Sequence, residues 1–360
     1  MASFATGGVT EVLDAHPELV RVVVDIGTGI VEAHGYPHML GPVAVGDRVV
    51  VNTTGLELDL GTGGVGFLLW NLDGSGPPGP GPGHVVKLRY SPWQTNVLAA
   101  EEPASPHHAA LREACSIEGL PVVACGLHSQ LPGVVAGIRA ALPGARIGYL
   151  MSDGGALPLA WSALVRRLEE ESLLDLTCTY GHAFGGDLEA VNVFSGLVAL
   201  RVAGEVDAAV VSLGPGVAGT ATALGFSGIE QGQVLDAAGA LGGCPVASLR
   251  VSFHDERVRH HGVSHHTLTA LTVAATRRCT VALPVLPREQ RSVVEQQLRS
   301  RGIAERHDVR EADGAPGVDL LRARGIVPTS MGTSMDEAPE PWLAAAAAGA
   351  VVAEVLEKSP

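Results

Sequence analysis

Between residues 19 and 70 the chain alternates apolar and polar positions or runs in short apolar blocks: "ELVRVVVDIG", "GIVEAHGY", "GDRVVVNTT" and "VGFLLWNL". Gly-, Pro- and Asn-rich turns separate these blocks, and nothing between them repeats at the 3.6-residue period of a helix. The pattern predicts a small β-barrel or β-sandwich-like module over residues 1–95. "DGSGPPGPGPG" at 73–83 carries Gly and Pro too densely for helix or strand, and marks a loop or stiff linker near the end of that module.

From about residue 120 apolar runs alternate with amphipathic stretches. "LPVVACGLHS" precedes "LPGVVAGIRAAL", "ARIGYLMSD" precedes "PLAWSALVRRLEEESLL", and "LTCTYGHAFGG" precedes "DLEAVNVFSGLVALRVAG". "DAAVVSLGPG", "CPVASLRVSF" and "CTVALPVLP" continue the series, and "PWLAAAAAGAVVAEVLEK" closes it with a last helix. Strands and helices in this rhythm predict a doubly wound, mostly parallel, three-layer α/β domain of Rossmann-like type over residues 96–360.

Open parallel sheets bind ligands beyond the carboxyl ends of their strands, so the strand ends supply the candidate site. They carry His128 and Ser129, then Ser152, Asp153, Gly154 and Gly155, then His182 with Asp187. The series continues with Gly214, Gly216, Gly219 and Thr220, then Asp255, and last Ser330–Thr333. Asp153, His182, Asp187 and His265 are the candidates for catalysis. His128, Gly154, Gly155, Gly214, Gly216, Gly219, Thr220 and Ser264 are the candidates for ligand binding. "GPGVAGT" at 214–220 has G-x-G-x-x-G spacing after an apolar strand, where backbone N–H groups can approach a phosphate. Gly225 and Gly228 interrupt the helix that should follow, so a structural turn stands beside the anion-cradle reading. Asp187 reads either as a helix N-cap or as a base or ligand. Asp153 reads either as a turn residue or as a catalytic carboxylate.

"HDERVRHHGVSHHT" at 254–267 holds five of the fourteen histidines. Ser264 is the expected N-cap of a helix, which puts His265 and His266 in its first turn, where the positive end of the dipole keeps imidazole neutral. Neutral imidazole binds a divalent metal or acts as a base. A mononuclear site from His265, His266 and Asp255, joined by a carboxylate such as Asp153, competes with exposed or packing histidines. Seryl catalysis has no G-x-S-x-G elbow to support it, "GFSGI" around Ser227 being the nearest stretch.

Composition narrows the class. A chain that is 46% hydrophobic but 4% aromatic, with 46 glycines, is built from small aliphatic residues and tight turns. A net charge of −14 with only 24 Lys and Arg argues against nucleic acid as a partner and leaves a small anionic metabolite as the expected one. No apolar window approaches the ~20 residues of a membrane span, and the N-terminus lacks signal-peptide character, so a cytoplasmic location is expected. Five widely spaced cysteines without a CxxC fit reduced, buried thiols. The Ala-rich last helix could pack on a copy of itself, giving a homo-oligomer, or on a neighbour within the chain.

Several of these stretches, together with "NTTGLELDLGTGG" (52–64), "HVVKLRYSPWQ" (84–94), "SPHH" (105–108) and "PTSMG" (328–332), resemble in order a bacterial family of uncharacterised proteins classified as a domain of unknown function. The resemblance spans the whole chain and implies no activity, substrate or cofactor. It does imply an arginine after the "MG" pair, where this chain has Thr333. The resulting expectation is a hydrolase or transferase, metal-assisted, acting on a small phosphorylated or nucleotide-like metabolite. The alternative is a non-catalytic metabolite-binding or regulatory protein whose β module contacts a partner.

Overall fold

The computed structural model describes residues 2–58, 64–77 and 79–358; residues 59–63 of the 52–64 stretch and Pro78 of the Gly/Pro segment lie outside the described residues. Two compact units form, Met1–Pro82 with Leu88–Asn96, and Gly83–Lys87 with Val97–Pro360.

In the smaller unit β1 (Phe4–Ala15), β2 (Val20–Asp25), β3 (Ile30–Gly35), β4 (Arg48–Asn52) and β5 (Gly66–Asn71) close a barrel in the order β1-β2-β3-β5-β4. Single turns α1 (Pro37–Leu40) and α2 (Thr54–Glu57) lie in its connections. Every second residue of β2 and β4 points inward, so Val20, Val22, Val24, Val49 and Val51 fill the core with Leu68. The apolar/polar pattern begins at residue 19 and misses β1. That strand shifts register between Val9 and Glu11 and again between Val12 and Asp14, and each shift breaks the two-residue alternation.

Short strands β6 (Val85–Lys87) and β7 (Thr95–Val97) and the turn α3 (His108–Leu111) precede the main sheet. Its strands are β8 (Pro121–Ala124), β9 (Ile147–Ser152), β10 (Leu176–Tyr180), β11 (Leu188–Ala190), β12 (Ala208–Leu213), β13 (Cys244–Ala247), β16 (Thr280–Pro284) and β17 (Asp308–Ala312). A two-residue ladder of β14 (Val251–Ser252) with β15 (Gly262–Val263) lies between β13 and β16 in the chain. The eight strands are ordered β11-β10-β9-β12-β8-β13-β16-β17, and every pairing is parallel. From β8 the chain steps outward through β9 to β11, returns to place β12 beside β8, and then steps the other way. Strand order therefore reverses at β8 and β12.

Right-handed crossovers place helices on one face for steps in one direction and on the other face for the reverse. Accordingly α4 (Leu131–Ala141) and α5 (Ala163–Glu170) cover one face, joined by α11 (Ala315–Ala323) and α12 (Glu340–Lys358). Opposite lie α6 (Val193–Val202), α7 (Glu230–Ala240), α8 (His265–Thr269), α9 (Arg288–Ser300) and α10 (Ile303–Arg306). Central strands are apolar on both sides: Val122, Ala124 and Val211 enter one core, Val123, Cys125 and Val210 the other.

Two sequence expectations need correction here. "DLEAV" is not a helix start: Leu188–Ala190 is strand β11, and α6 begins at Val193, capped by Asn192, whose side chain accepts from the Phe194 and Ser195 N–H groups. Asp187 is therefore no N-cap; it accepts from Thr177 N and Oγ1, both at 2.8 Å. Of the cysteines, Cys125, Cys178 and Cys279 are buried, Cys244 is half-buried, and Cys115 is exposed, against the expectation that they sit inside. The Ala-rich face of α12 packs within the chain on α4. A Cβ on Gly137 would stand 2.2 Å from the Ala346 carbonyl oxygen, so glycine is what lets the two backbones touch. Among the described residues no helix is long and apolar enough to cross a membrane.

Candidate functional site

The connection leaving β8 is fixed before it reaches α4. Gln130 Oε1 accepts from the Gly126 and Leu127 N–H groups at 3.0 Å each, while its Nε2 donates to Ser248 Oγ and the Leu249 carbonyl. That anchor holds His128 at the sheet edge with Nε2 2.7 Å from Ser162 Oγ and Nδ1 3.1 Å from Tyr149 Oη. Tyr149 in turn lies 3.1 Å from Ser212 Oγ. Ser162 caps α5 by accepting from Val165 N at 3.1 Å. Burial drives the His128 pKa down to about 4, against a weaker upward pull from the Leu213 carbonyl, so the ring is neutral near pH 7. Tyr149 O–H donates to the Ser212 and Leu213 carbonyls, so Oη accepts from His128 Nδ1–H; Nε2 then carries the lone pair and Ser162 O–H donates to it.

This pair lines a cleft of ≈ 650 Å³ at the strand-order reversal, together with Ser129, Arg167 and the start of the glycine loop at Gly214–Val217; Ser330 lines it too, its Oγ 2.9 Å from Ser129 Oγ. Gly214 owes its lack of a side chain to packing, since a Cβ there would be 2.4 Å from the Ala156 carbonyl oxygen. Gly216 has a φ of +96°. Thr220 is tied into the loop itself through Thr222 Oγ1 and the Gly225 carbonyl, both at 3.0 Å. The loop runs through a 3₁₀ turn at Ser227–Ile229 before α7 begins, so the arrangement is not the glycine turn opening directly into a helix that binds dinucleotides.

On the neighbouring strand end, Ser152 donates to Glu230 Oε1 at 2.5 Å. Glu230 opens α7; burial, with the Asp153 charge adding to it, raises its pKa to about 7 against the Ser152 hydrogen bond. Gly154 makes room for this carboxyl: a Cβ there would lie 2.9 Å from Glu230 Oε2. Gly155 admits the Gly214 carbonyl, 2.3 Å from where its Cβ would be. Asp153 Oδ2 accepts from the backbone His182 N–H at 3.0 Å.

Farther along the edge Ser264 caps α8, accepting from His266 N, and its hydroxyl lies 2.7 Å from His260 Nδ1. His260, His265 and His266 each offer a ligand nitrogen within 4.8 Å of the others. Desolvation, reinforced by nearby charges including Arg250, lowers His260 to about 4 and His266 to about 3. Burial is the largest of these causes for both rings. Asp255 stands apart from the group, clamped by Arg257 Nε at 2.8 Å and Nη2 at 2.7 Å, which holds its carboxyl far below the ordinary range. The third histidine occupies the place expected of Asp255.

A family model described as "Protein of unknown function (DUF3866)" matches residues 32–349. The chain belongs to that family. No curated protein matches it. In this DUF3866 protein the catalytic and binding candidates thus divide among three groups. His128 joins Ser162 in the cleft that Gly214 and Gly216 also line; Asp153 and Gly154 lie at Glu230, with Gly155 against the Gly214 carbonyl; and Gly219 lies against His266, its absent Cβ 4.0 Å from Nε2. Asp187 and Thr220 serve their own strands and loop. Thr333, where an arginine was expected, lines a second cleft of ≈ 450 Å³ that Arg250 and Arg257 also line, so positive charge reaches that place from another segment. Ser162, Glu230 and His260 escaped sequence reasoning. Ser162 left a local trace, a Ser ahead of an amphipathic run, and His260 lay within the histidine run at 254–267.

Proposed function

We propose that the protein is an enzyme that transfers or hydrolyses an acyl or phosphoryl group of a small anionic, phosphorylated or nucleotide-like metabolite in the 650 Å³ cleft. The observation that carries this reading is Ser162 Oγ at 2.7 Å from Nε2 of a neutral, buried His128. A serine hydroxyl is a weak nucleophile until a base takes its proton, and a histidine at this distance with a lone pair facing it is that base. Ala163 and Leu164 line the same cleft in the first turn of α5, whose leading N–H groups have no intrahelical acceptor and favour negative charge.

A fluorophosphonate probe tests this. Covalent labelling is expected on the Ser162 peptide, absent in Ser162→Ala and slowed at least ~100-fold in His128→Asn, the lower end for loss of a general base. Labelling that survives Ser162→Ala, or no labelling of the folded wild type, overturns the serine mechanism. A melting-temperature rise with pyrophosphate and no labelling would instead favour the non-catalytic metabolite-binding protein.

A further inference from the structure

We propose that His260, His265 and His266 form a binding site for a single divalent transition-metal ion of the zinc class, with at least one coordination position left open. Three imidazoles converge with ligand nitrogens within 4.8 Å of one another and ring centroids 4.3 to 5.1 Å apart. Tetrahedral zinc with Zn–N of ~2.1 Å needs nitrogens about 3.4 Å apart, so closing on an ion takes ring movements of about an ångström.

A second observation is independent of the clustering. His265 Nε2 is buried and has no hydrogen-bond partner among the described residues. A buried polar atom left unmatched is costly, and a native fold keeps one where a ligand satisfies it. His260 Nδ1 is engaged by Ser264 Oγ at 2.7 Å, which leaves its Nε2 for an ion. His266 Nδ1 faces Arg250 Nη1 at 3.4 Å, and because a guanidinium only donates, ligation through His266 Nε2 requires the ring proton to move to Nδ1 and this long contact to be given up.

The surroundings have the character of an outer shell that orients ligands. Phe226 stacks on His266 at 4.0 Å with the planes 5° apart, and meets His265 edge-on at 5.8 Å. Gly262, at φ +74°, turns the chain back between His260 and Ser264, a conformation that glycine adopts at no steric cost. Nitrogen-only donors exclude calcium and magnesium, which take oxygen, and suit zinc. Three protein ligands with no fourth is the pattern of sites that keep a position for water or substrate. Arg250 beside His266 makes an anion the fitting fourth ligand.

The test uses the full-length chain without a polyhistidine tag, stripped with a chelator and titrated with Zn²⁺ by calorimetry and with Co²⁺ by visible absorption. One ion per chain is expected, with the intense visible bands of tetrahedral cobalt, and Zn²⁺ affinity at least ~10-fold lower in His265→Ala and in His266→Gln, the least that loss even of an outer-shell partner costs. Far-ultraviolet circular dichroism shows which variants are folded, and if one is not, the other together with His260→Asn decides. No stoichiometric binding by the wild type, or unchanged affinity in the folded variants, overturns the site. Ser162 labelling is read separately, so the serine mechanism and the metal site stand or fall apart.

Discussion

Lys87→Met is expected to lower the unfolding free energy of the larger unit by about 3–5 kcal/mol at pH 7, the usual cost of leaving half of a buried ion pair behind. Lys87 is fully buried, with Nζ 3.1 Å from Glu189 Oε2, 2.8 Å from the Ala183 carbonyl and 3.4 Å from the Ala190 carbonyl. Glu189 is held in turn by Thr179 Oγ1 and Gly185 N, each at 2.7 Å. Burial raises the Glu189 pKa even with Lys87 and these donors pulling it down, so the carboxylate has no stabilisation to spare once its cation is gone. Methionine fills most of the lysine's volume, which limits the cavity contribution and leaves the orphaned charge as the dominant one. Two further results follow. The loss shrinks as pH is lowered and Glu189 takes up a proton, and Lys87→Met with Glu189→Gln recovers more than half of it. Urea unfolding of the four proteins of this cycle checks all three statements. A single-variant loss below about 1 kcal/mol, or a double variant worse than both singles, would show that the pair does not carry this weight.

How much of this was legible beforehand depends on the range of the interaction. The parallel sheet was readable because β8, β9 and β12 are buried on both faces and appear as unbroken apolar blocks, and because Ser264 announces α8 by local capping chemistry. The barrel was readable except for β1, whose bulges destroy the alternation that sequence reading depends on. The site was only half legible. Strand ends pointed to His128, Asp153 and the glycine loop, since a parallel sheet exposes one edge to ligands. Their partners could not be found that way: Ser152 meets Glu230 across 78 residues, and His128 meets Ser162 across 34. Glu230 sits past a loop that looked like a phosphate cradle, whose Gly214 is a packing solution against the Ala156 carbonyl; at the neighbouring strand end Gly154 makes room for the Glu230 carboxyl and Gly155 for the Gly214 carbonyl. The histidine run misled by proximity in sequence. By residue type Asp255 was expected to join His265 and His266, yet Arg257, two residues on, claims it.

Glu230→Gln and His128→Asn are expected to change the pH dependence of stability in opposite directions. Glu230 has a folded-state pKa of about 7 against an ordinary 4.5. The stability it contributes is fully present below pH 4.5 and is lost as pH rises through 7, because the folded protein holds a proton that the unfolded chain has released. His128 runs the other way, at about 4 in the fold against 6.5. Its contribution is present above pH 6.5 and is lost as pH falls through 4, since the unfolded chain then takes up a proton that the buried ring refuses. At ~1.36 kcal/mol per pH unit each is worth about 3 kcal/mol across its window. The windows overlap, so the two effects largely offset one another in the wild type. Relative to wild type, Glu230→Gln gains stability between pH 4.5 and 7.5, and His128→Asn gains it as pH falls from 6.5 to 4. Guanidinium unfolding at half-unit pH steps reads both, and parallel curves for a variant and the wild type would remove that residue from the account. The consequence for chemistry lies in the same numbers: near pH 7 the strand-end edge holds a neutral imidazole beside Ser162 and, at Glu230, a carboxyl poised to give or take a proton.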